Sequence, residues 1–447
     1  MITLLPHQLR ASAELEAILR AHRIAYLAGE VRSGKTLTAM HLVKSIGFKR
    51  VLLVTKKKAI ASIEKDRDAL GLTDVVTVTN FEQLPKFAKQ SFGLLIVDEA
   101  HCVGGGYPKP SKRFKDLQQI ARNAVLLMSG TPSPESFSQL YHQFKLGAHP
   151  WGHYKNFYAW ANDYVVIKQK YVGTGQEVND YSGAIESKVL ADVRPLTVTM
   201  TQAEAGFTTV IEERVHMVKM KPRTYRLAER ILKDGVIGSP RCRAVVADTG
   251  AKAMSKLQQV YGGAVITEQH GAVCFDDSKA QFVRDEFGHT RHAILYKFNA
   301  EGDMLKRLYG NAWTDSPELF NENPDALAYI GQVQSSREGV NLSAADHLLF
   351  VGIDFAALSY LQGINRAAHM HRTRPNIVHW VFAHGGMEPR VYQTVRGKVD
   401  YTKKHFDHDR STMAAEADQA IRGGRMDGDT PIADEPGRVS RLAFAQA

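Results

Sequence analysis

Five short runs of apolar and β-branched residues punctuate the first third of the chain, at positions 24–27, 51–55, 75–79, 94–97 and 125–128. Each is nearly continuous rather than alternating, the pattern of a strand buried on both faces. Segments with helical periodicity, such as 36–46, lie between several of them. Strand and helix in alternation predict an α/β lobe on a parallel sheet. The pattern breaks at 149–205. There Trp151, Tyr154, Phe157, Tyr158, Trp160 and Tyr164 crowd one stretch, and the polar YVGTGQEVNDYSGA follows. This reads as an aromatic and basic segment between lobes, its rings packing there rather than stacking on bases. A second alternating series begins with the strand-like VIEERVHMVKM, and Pro222 opens a helix running to Leu232. Further strands at 293–296, 327–330, 347–351 and 377–382 complete a second α/β lobe. From Ser411 the composition shifts to Ala, Gly, Asp and Arg, which predicts a flexible tail without a core. The expected layout is a first lobe over 1–148, the aromatic segment over 149–205, a second lobe over 206–410 and the tail over 411–447.

Composition narrows the function classes. A chain of 447 residues with 44% hydrophobic and 23% charged positions is neither disordered nor fibrous. It has no apolar run of 18 residues, so no membrane-spanning helix is expected. The N-terminus is charged too early for a signal peptide, which predicts a cytoplasmic protein. Lys and Arg number 57 against 47 Asp and Glu, a net charge of +10 that favours a polyanionic partner. The three cysteines form no CxxC pair, so neither a zinc ribbon nor a disulfide framework is expected.

Two motifs bring chemistry. GEVRSGKT, residues 29–36, matches GxxxxGK[ST] between a strand and a helix, the context a phosphate-binding loop requires. Its N–H groups and the following helix N-terminus suit phosphate oxygens. Lys35 would reach the β- and γ-phosphates and Thr36 would ligate Mg²⁺. LLIVDEAH, residues 94–101, ends an apolar strand with Asp98 and Glu99 at the carboxyl edge, where α/β sheets bind ligands. Asp98 can hold Mg²⁺ through water, and Glu99 can orient and deprotonate an attacking water. Together the motifs point to hydrolysis of ATP with Mg²⁺. Lys56, Lys57 and Lys58 follow a strand end, where a loop can face backbone phosphates.

With these motifs in place, the sequence resembles the superfamily 2 helicases and translocases of DEAH-box type, most closely the Swi/Snf-like branch. LLPHQ, ending at Gln8, looks like the motif whose glutamine reads adenine. VTKKKAI at 54–60 and TNFEQL at 79–84 occupy the places of motifs Ia and Ib. SGTP at 129–132 is similar to the motif coupling nucleotide state to DNA grip. REGVNLSAADHLLF at 337–350 looks like motif V. GIDFAALSYLQGINRAAHMHRTRP at 352–375 resembles the family's motif VI region. The resemblance covers roughly residues 4 to 405.

It implies two RecA-like lobes and a DNA-stimulated ATPase that moves on or remodels DNA. Gln8 and the loop Gly29, Glu30, Val31, Arg32, Ser33, Gly34, Lys35 and Thr36 would bind ATP. Thr36 and Asp98 would hold Mg²⁺, and Glu99 would be the base. Arg366 would be an arginine finger from the second lobe. Thr79, Asn80 and Arg337 join Lys56 and Lys57 as nucleic-acid contacts, and His101, Ser129, Thr131 and Gln362 would couple the sites. The second motif VI arginine is replaced by His369, with Arg372 three residues further on. Either Arg372 reaches in, or His369 serves, or one arginine suffices. The segment after motif Ia has Ala61, Ser62 and Ile63 where the family carries a Trp. The expected partner is duplex or forked DNA, bound without sequence specificity by a monomer, and no membrane. Compact size suggests a phage or prokaryotic type. An RNA helicase, a nucleotide-gated nucleic-acid clamp and a P-loop ATPase without nucleic acid are the alternatives.

Overall fold

The computed structural model describes residues 3–147, 149–172, 176–206, 211–239, 242–247, 250–267, 271–333, 342, 344–356, 360 and 376–397. The chain divides into two compact units, the first ending at Thr208 and the second beginning at Thr209. Each is an α/β unit around a six-stranded sheet, the architecture expected of paired RecA-like lobes.

The first unit contains β1 (Ile24–Gly29), β2 (Val51–Thr55), β3 (Val76–Asn80), β4 (Ser91–Val97) and β5 (Ala121–Ser129). A hairpin of β6 (Lys168–Val172) and β7 (Gln176–Asp180) follows, and then β8 (Thr197–Met200). The sheet runs β3-β2-β4-β5-β1-β8, parallel throughout. The five runs seen in the sequence are β1 to β5, and both faces of the sheet are covered. Ala25, Leu27, Leu53 and Ile96 lie under Leu15, Ala39, Met40 and Ile63 from helices Pro6–His22, Lys35–Ile46 and Ile60–Ala69. The alternate residues Tyr26, Val54, Leu95 and Val97 pack against Leu140, Trp151, Trp160 and Leu190.

Those last residues correct the expected layout. Residues 149–205 fall within the first unit, where they contribute to the second face and supply one edge strand. Trp151 and Trp160 are almost wholly buried, their rings 5.3 Å apart, and Tyr164 stacks on Trp160 at 5.2 Å. Trp151 Nε1 and Tyr164 Oη both donate to Asp192, at 2.9 and 2.5 Å. β8 then pairs with β1, Tyr26 beside Thr197 and Gly29 beside Met200. The aromatic cluster has no strand periodicity because it caps a sheet face instead of extending the sheet.

In the second unit β9 (Ile211–Val218) is followed by two hairpins, β10 (Val236–Ser239) with β11 (Cys242–Val246) and β12 (Ala264–Thr267) with β13 (Gly271–Cys274). The remaining strands are β14 (His292–Tyr296), β15 (Trp313–Thr314), β16 (Ala328–Gln332), β17 (His347–Phe350) and β18 (Asn376–Ala383). The order is β15-β16-β14-β17-β18-β9, again all parallel. The helix opened by Pro222 runs to Asp234. Three imidazoles cross adjacent strands in a hydrogen-bonded row: His379 meets His216 at 2.8 Å through Nδ1 and His347 at 3.0 Å through Nε2. A buried ion pair joins Lys279 to Glu388 at 2.5 Å. Among the described residues no helix is long and apolar enough to cross a membrane. The expected tail at 411–447 lies outside the described residues.

Candidate functional site: a phosphate loop and an acidic strand end

The carboxyl ends of β1, β2, β4 and β5 gather the motif residues of the first unit. The loop after β1 turns through two left-handed residues, Arg32 at φ 65° and Gly34 at φ 85°. Such residues curve successive N–H groups toward one side, the backbone's way of holding an anion. The helix Lys35–Ile46 starts at Gly34 without a side-chain cap. Its first N–H groups therefore lack the partner most helices supply from within. Lys35 Nζ donates to the loop carbonyls of Gly29 at 2.8 Å and Glu30 at 3.0 Å. Burial lowers the Lys35 pKa, while Glu99, Asp98 and Glu30 pull it back up. This is a desolvated ammonium facing carboxylates, the setting in which electrostatic interaction is strongest.

Other elements clamp the loop. Gln202 donates its backbone N–H to Glu30 Oε2 at 2.6 Å and its side-chain amide to Val31 O at 2.9 Å. Glu30 N donates to Met200 O at 2.8 Å. From the other side His7 Nε2 lies 3.0 Å from Ser33 O. Gln8 is buried, its Oε1 accepting from Leu5 N at 2.9 Å. Its amide nitrogen lies so close to Gly34 that a Cβ there would collide with it. The proposed adenine reader thus sits against the loop itself. Gln202 and His7 were missed from the sequence, since neither lies in a motif of phosphate chemistry; the only signal was that His7 adjoins Gln8.

The acidic strand end is also braced. Thr55, ending β2, donates to Asp98 Oδ2 at 2.8 Å. Burial and the adjacent Glu99 raise the Asp98 pKa, against Thr55 and Lys35. Glu99 has a left-handed backbone, φ 51°. A side chain that bears a Cβ adopts this conformation at a cost, which points to functional placement. His101 Nδ1 lies 3.1 Å from Glu99 Oε2 and 2.9 Å from Ser129 Oγ, which in turn accepts from Thr131 N at 3.0 Å. Burial pushes the Glu99 carboxyl up, but the His101 hydrogen bond and charge, with Lys56 and Lys35, outweigh it and bring it to about 2. Burial likewise disfavours charge on His101, yet its bonds to Cys102 and Glu99 hold it at about 9. The pair is ionic at neutral pH. A Cβ at Gly130 would lie 3.4 Å from Gly29 O and 3.8 Å from Lys35 Nζ, so the SGTP turn passes directly over the phosphate loop.

The structure therefore brings together Gln8, residues 29–36, Asp98, Glu99, His101, Ser129 and Thr131. The expected nucleic-acid contacts fare differently. Lys56 acts electrostatically on Glu99. Lys57 is exposed at the start of a short 3-10 turn. Thr79 and Asn80 are nearly buried, and Asn80 Oδ1 is occupied in capping, accepting from Gln83 N at 3.1 Å. The side chain of Lys58, and all of Arg337, Gln362, Arg366, His369 and Arg372, lie outside the described residues.

No family model matches the chain. It is 21% identical over 347 residues to the SWI/SNF-related matrix-associated actin-dependent regulator of chromatin subfamily A-like protein 1 of Drosophila melanogaster, covering 74% of this chain and 44% of that protein. It is 33% identical over 86 residues to the chromatin-remodeling ATPase INO80 of Cryptococcus neoformans, covering 19% of this chain and 5% of that one. The chain thus spans less than half the length of these relatives. The SWI2/SNF2 ATPase core of Sulfolobus solfataricus in complex with dsDNA superposes with TM-score 0.42 at 13% identity, over 94% of this chain and 96% of that one.

Proposed function

We propose that the protein is a DNA-stimulated ATPase of the Swi/Snf type, converting ATP hydrolysis into movement on, or remodelling of, duplex DNA. The observation that carries this reading is the half-buried Lys35 ammonium, seated on the carbonyls of the loop before an uncapped helix and close to Asp98 and Glu99. The relatives named as chromatin regulators support the DNA half of it.

The donor set fits a Mg²⁺–nucleotide. Thr36 and Asp98 offer the hard oxygens that Mg²⁺ takes. Among the described residues no three or more His, Cys, Asp or Glu gather as a metal cage. A Mg²⁺ bound by one or two protein oxygens, phosphates and water needs none. Mg²⁺ would neutralise charge on the phosphates. The chain's own residues do the rest. Lys35 leaves the loop carbonyls for the phosphate oxygens, and the uncapped N–H groups of the helix hold the same oxygens. Glu99, ionised and fixed by His101, orients the attacking water and accepts its proton. His101 passes any shift of Glu99 to Ser129 and thence to the Thr131 backbone. The roles of Arg366 and Arg372 as completing cations belong to the same proposal.

ATP turnover measured with duplex DNA, forked DNA, single-stranded DNA and RNA tests this. Duplex or forked DNA should raise the wild-type rate, and Lys35→Ala should abolish it. Stimulation by RNA alone would replace the reading with an RNA helicase. A rate indifferent to every polynucleotide would remove the nucleic-acid half.

A further inference from the structure

The helix Pro222–Asp234 buries Tyr225, Ala228, Ile231 and Leu232. On its outer face it carries Arg223, Arg226, Arg230 and Lys233, all exposed. The 3-4-3 spacing puts the four cations in one stripe along the helix. On two helices of the first unit arginines pair with a carboxylate of the same helix. Arg10 pairs with Glu14 at 3.1 Å, Arg20 with Glu16 at 2.7 Å and Arg67 with Glu64 at 3.7 Å. On this stripe Glu229 is taken by Lys233 at 2.5 Å, and Arg223 lies over the Phe275 ring at 5.6 Å. Arg226 and Arg230, one turn apart, have no ion pair or hydrogen bond among the described residues. Like charges at this spacing disfavour a helix.

We infer that this stripe is a second binding surface for a phosphodiester backbone, separate from the loop residues around Lys56 and Lys57. Ten residues of helix span about 15 Å, and one DNA strand places a phosphate about every 3.4 Å of axis. The stripe thus spans roughly four phosphates of one strand. Guanidinium groups without an internal partner are free to bind phosphate bidentately, and Arg226 and Arg230 are the two that qualify. An acidic protein would offer carboxylates without this regular repeat, so the nucleic acid is the occupant.

The inference rests on the DNA reading, and the test separates the two. Binding of a labelled duplex is measured over a salt series for wild type, Arg226→Ala/Arg230→Ala, Arg226→Lys/Arg230→Lys and Arg20→Ala, with thermal melting to check folding. Loss of two phosphate contacts should flatten the slope of log affinity against log salt by about 1.8. The lysine pair should keep the slope, and the Arg20 variant, whose cation already has a partner, should match wild type. Basal ATPase without DNA should stay unchanged in every variant. A folded alanine pair with the wild-type slope overturns the surface and leaves the DNA reading intact. Wild type that binds no duplex overturns both.

Discussion

Replacing His101 by alanine removes the group that keeps Glu99 ionised. The imidazole is buried, 5% exposed, with Nδ1 3.1 Å from the Glu99 carboxylate. In its presence the Glu99 pKa is about 2 rather than the ordinary 4.5. That difference is worth on the order of 3 kcal/mol in favour of the charged form, the net of His101, Lys56 and Lys35 against burial. Burial acts the other way, so without His101 the carboxyl pKa should rise. The signs follow for stability. The Glu99 contribution is present above pH 4.5 and lost as pH falls toward 2, because its folded pKa is depressed. The His101 contribution is full below pH 6.5 and lost as pH rises through about 9, because its folded pKa is raised. Both act together between 4.5 and 6.5. For catalysis, wild-type turnover should show no limb from this pair between about 2 and about 9. His101→Ala should bring an acidic limb into view, the rate dropping as pH falls through the new Glu99 pKa. His101→Gln keeps a donor without the charge and so separates the hydrogen bond from the Coulombic effect. The assay is DNA-stimulated ATPase against pH. Superimposable wild-type and alanine profiles, or a wild-type limb near pH 6.5, would refute the ionic pair.

Glu99→Gln should bind nucleotide as wild type does but lose turnover by a hundredfold or more, roughly the contribution of a general base; turnover close to wild type removes Glu99 from that role. Gly34→Ala should weaken nucleotide binding, since φ 85° strains any side chain and the new Cβ collides with Gln8; unaltered affinity in a titration would show that the loop tolerates the shift. Burial holds His379 neutral, with its pKa lowered to about 3. The second unit should therefore lose stability as pH falls from 6.5 toward 3, where the unfolded chain takes up a proton that the native row refuses. A His379→Phe variant that melts with the same pH dependence as wild type would show that the row does not carry it.

What could be read beforehand followed from chemistry that local pattern expresses. Continuous apolar runs marked the central strands because parallel strands are buried on both faces, and GEVRSGKT and LLIVDEAH marked the site because each needs adjacent residues. The neighbours that brace the site were illegible for the opposite reason. Thr55 meets Asp98 only because β2 and β4 lie side by side, across 43 residues of chain. Gln202 meets Glu30 only because β8 returns to the sheet edge across 172. The aromatic segment misled for a related reason. Trp151 and Trp160 pack by shape against Tyr141 and Phe157, and shape leaves no periodic trace in sequence.

The bond between Gln202 and the phosphate loop also has a mechanical meaning. Residue 202 lies just beyond the last strand of the first unit, a few positions before the chain leaves for the second. Two hydrogen bonds rivet that exit to Glu30 and Val31, in the loop proposed to take the nucleotide. A strap pinned to a moving part transmits tension along its length. Whatever displaces the loop therefore displaces the root of the connecting chain, and strain arriving along that chain reaches the nucleotide's anchorage without crossing the body of the sheet.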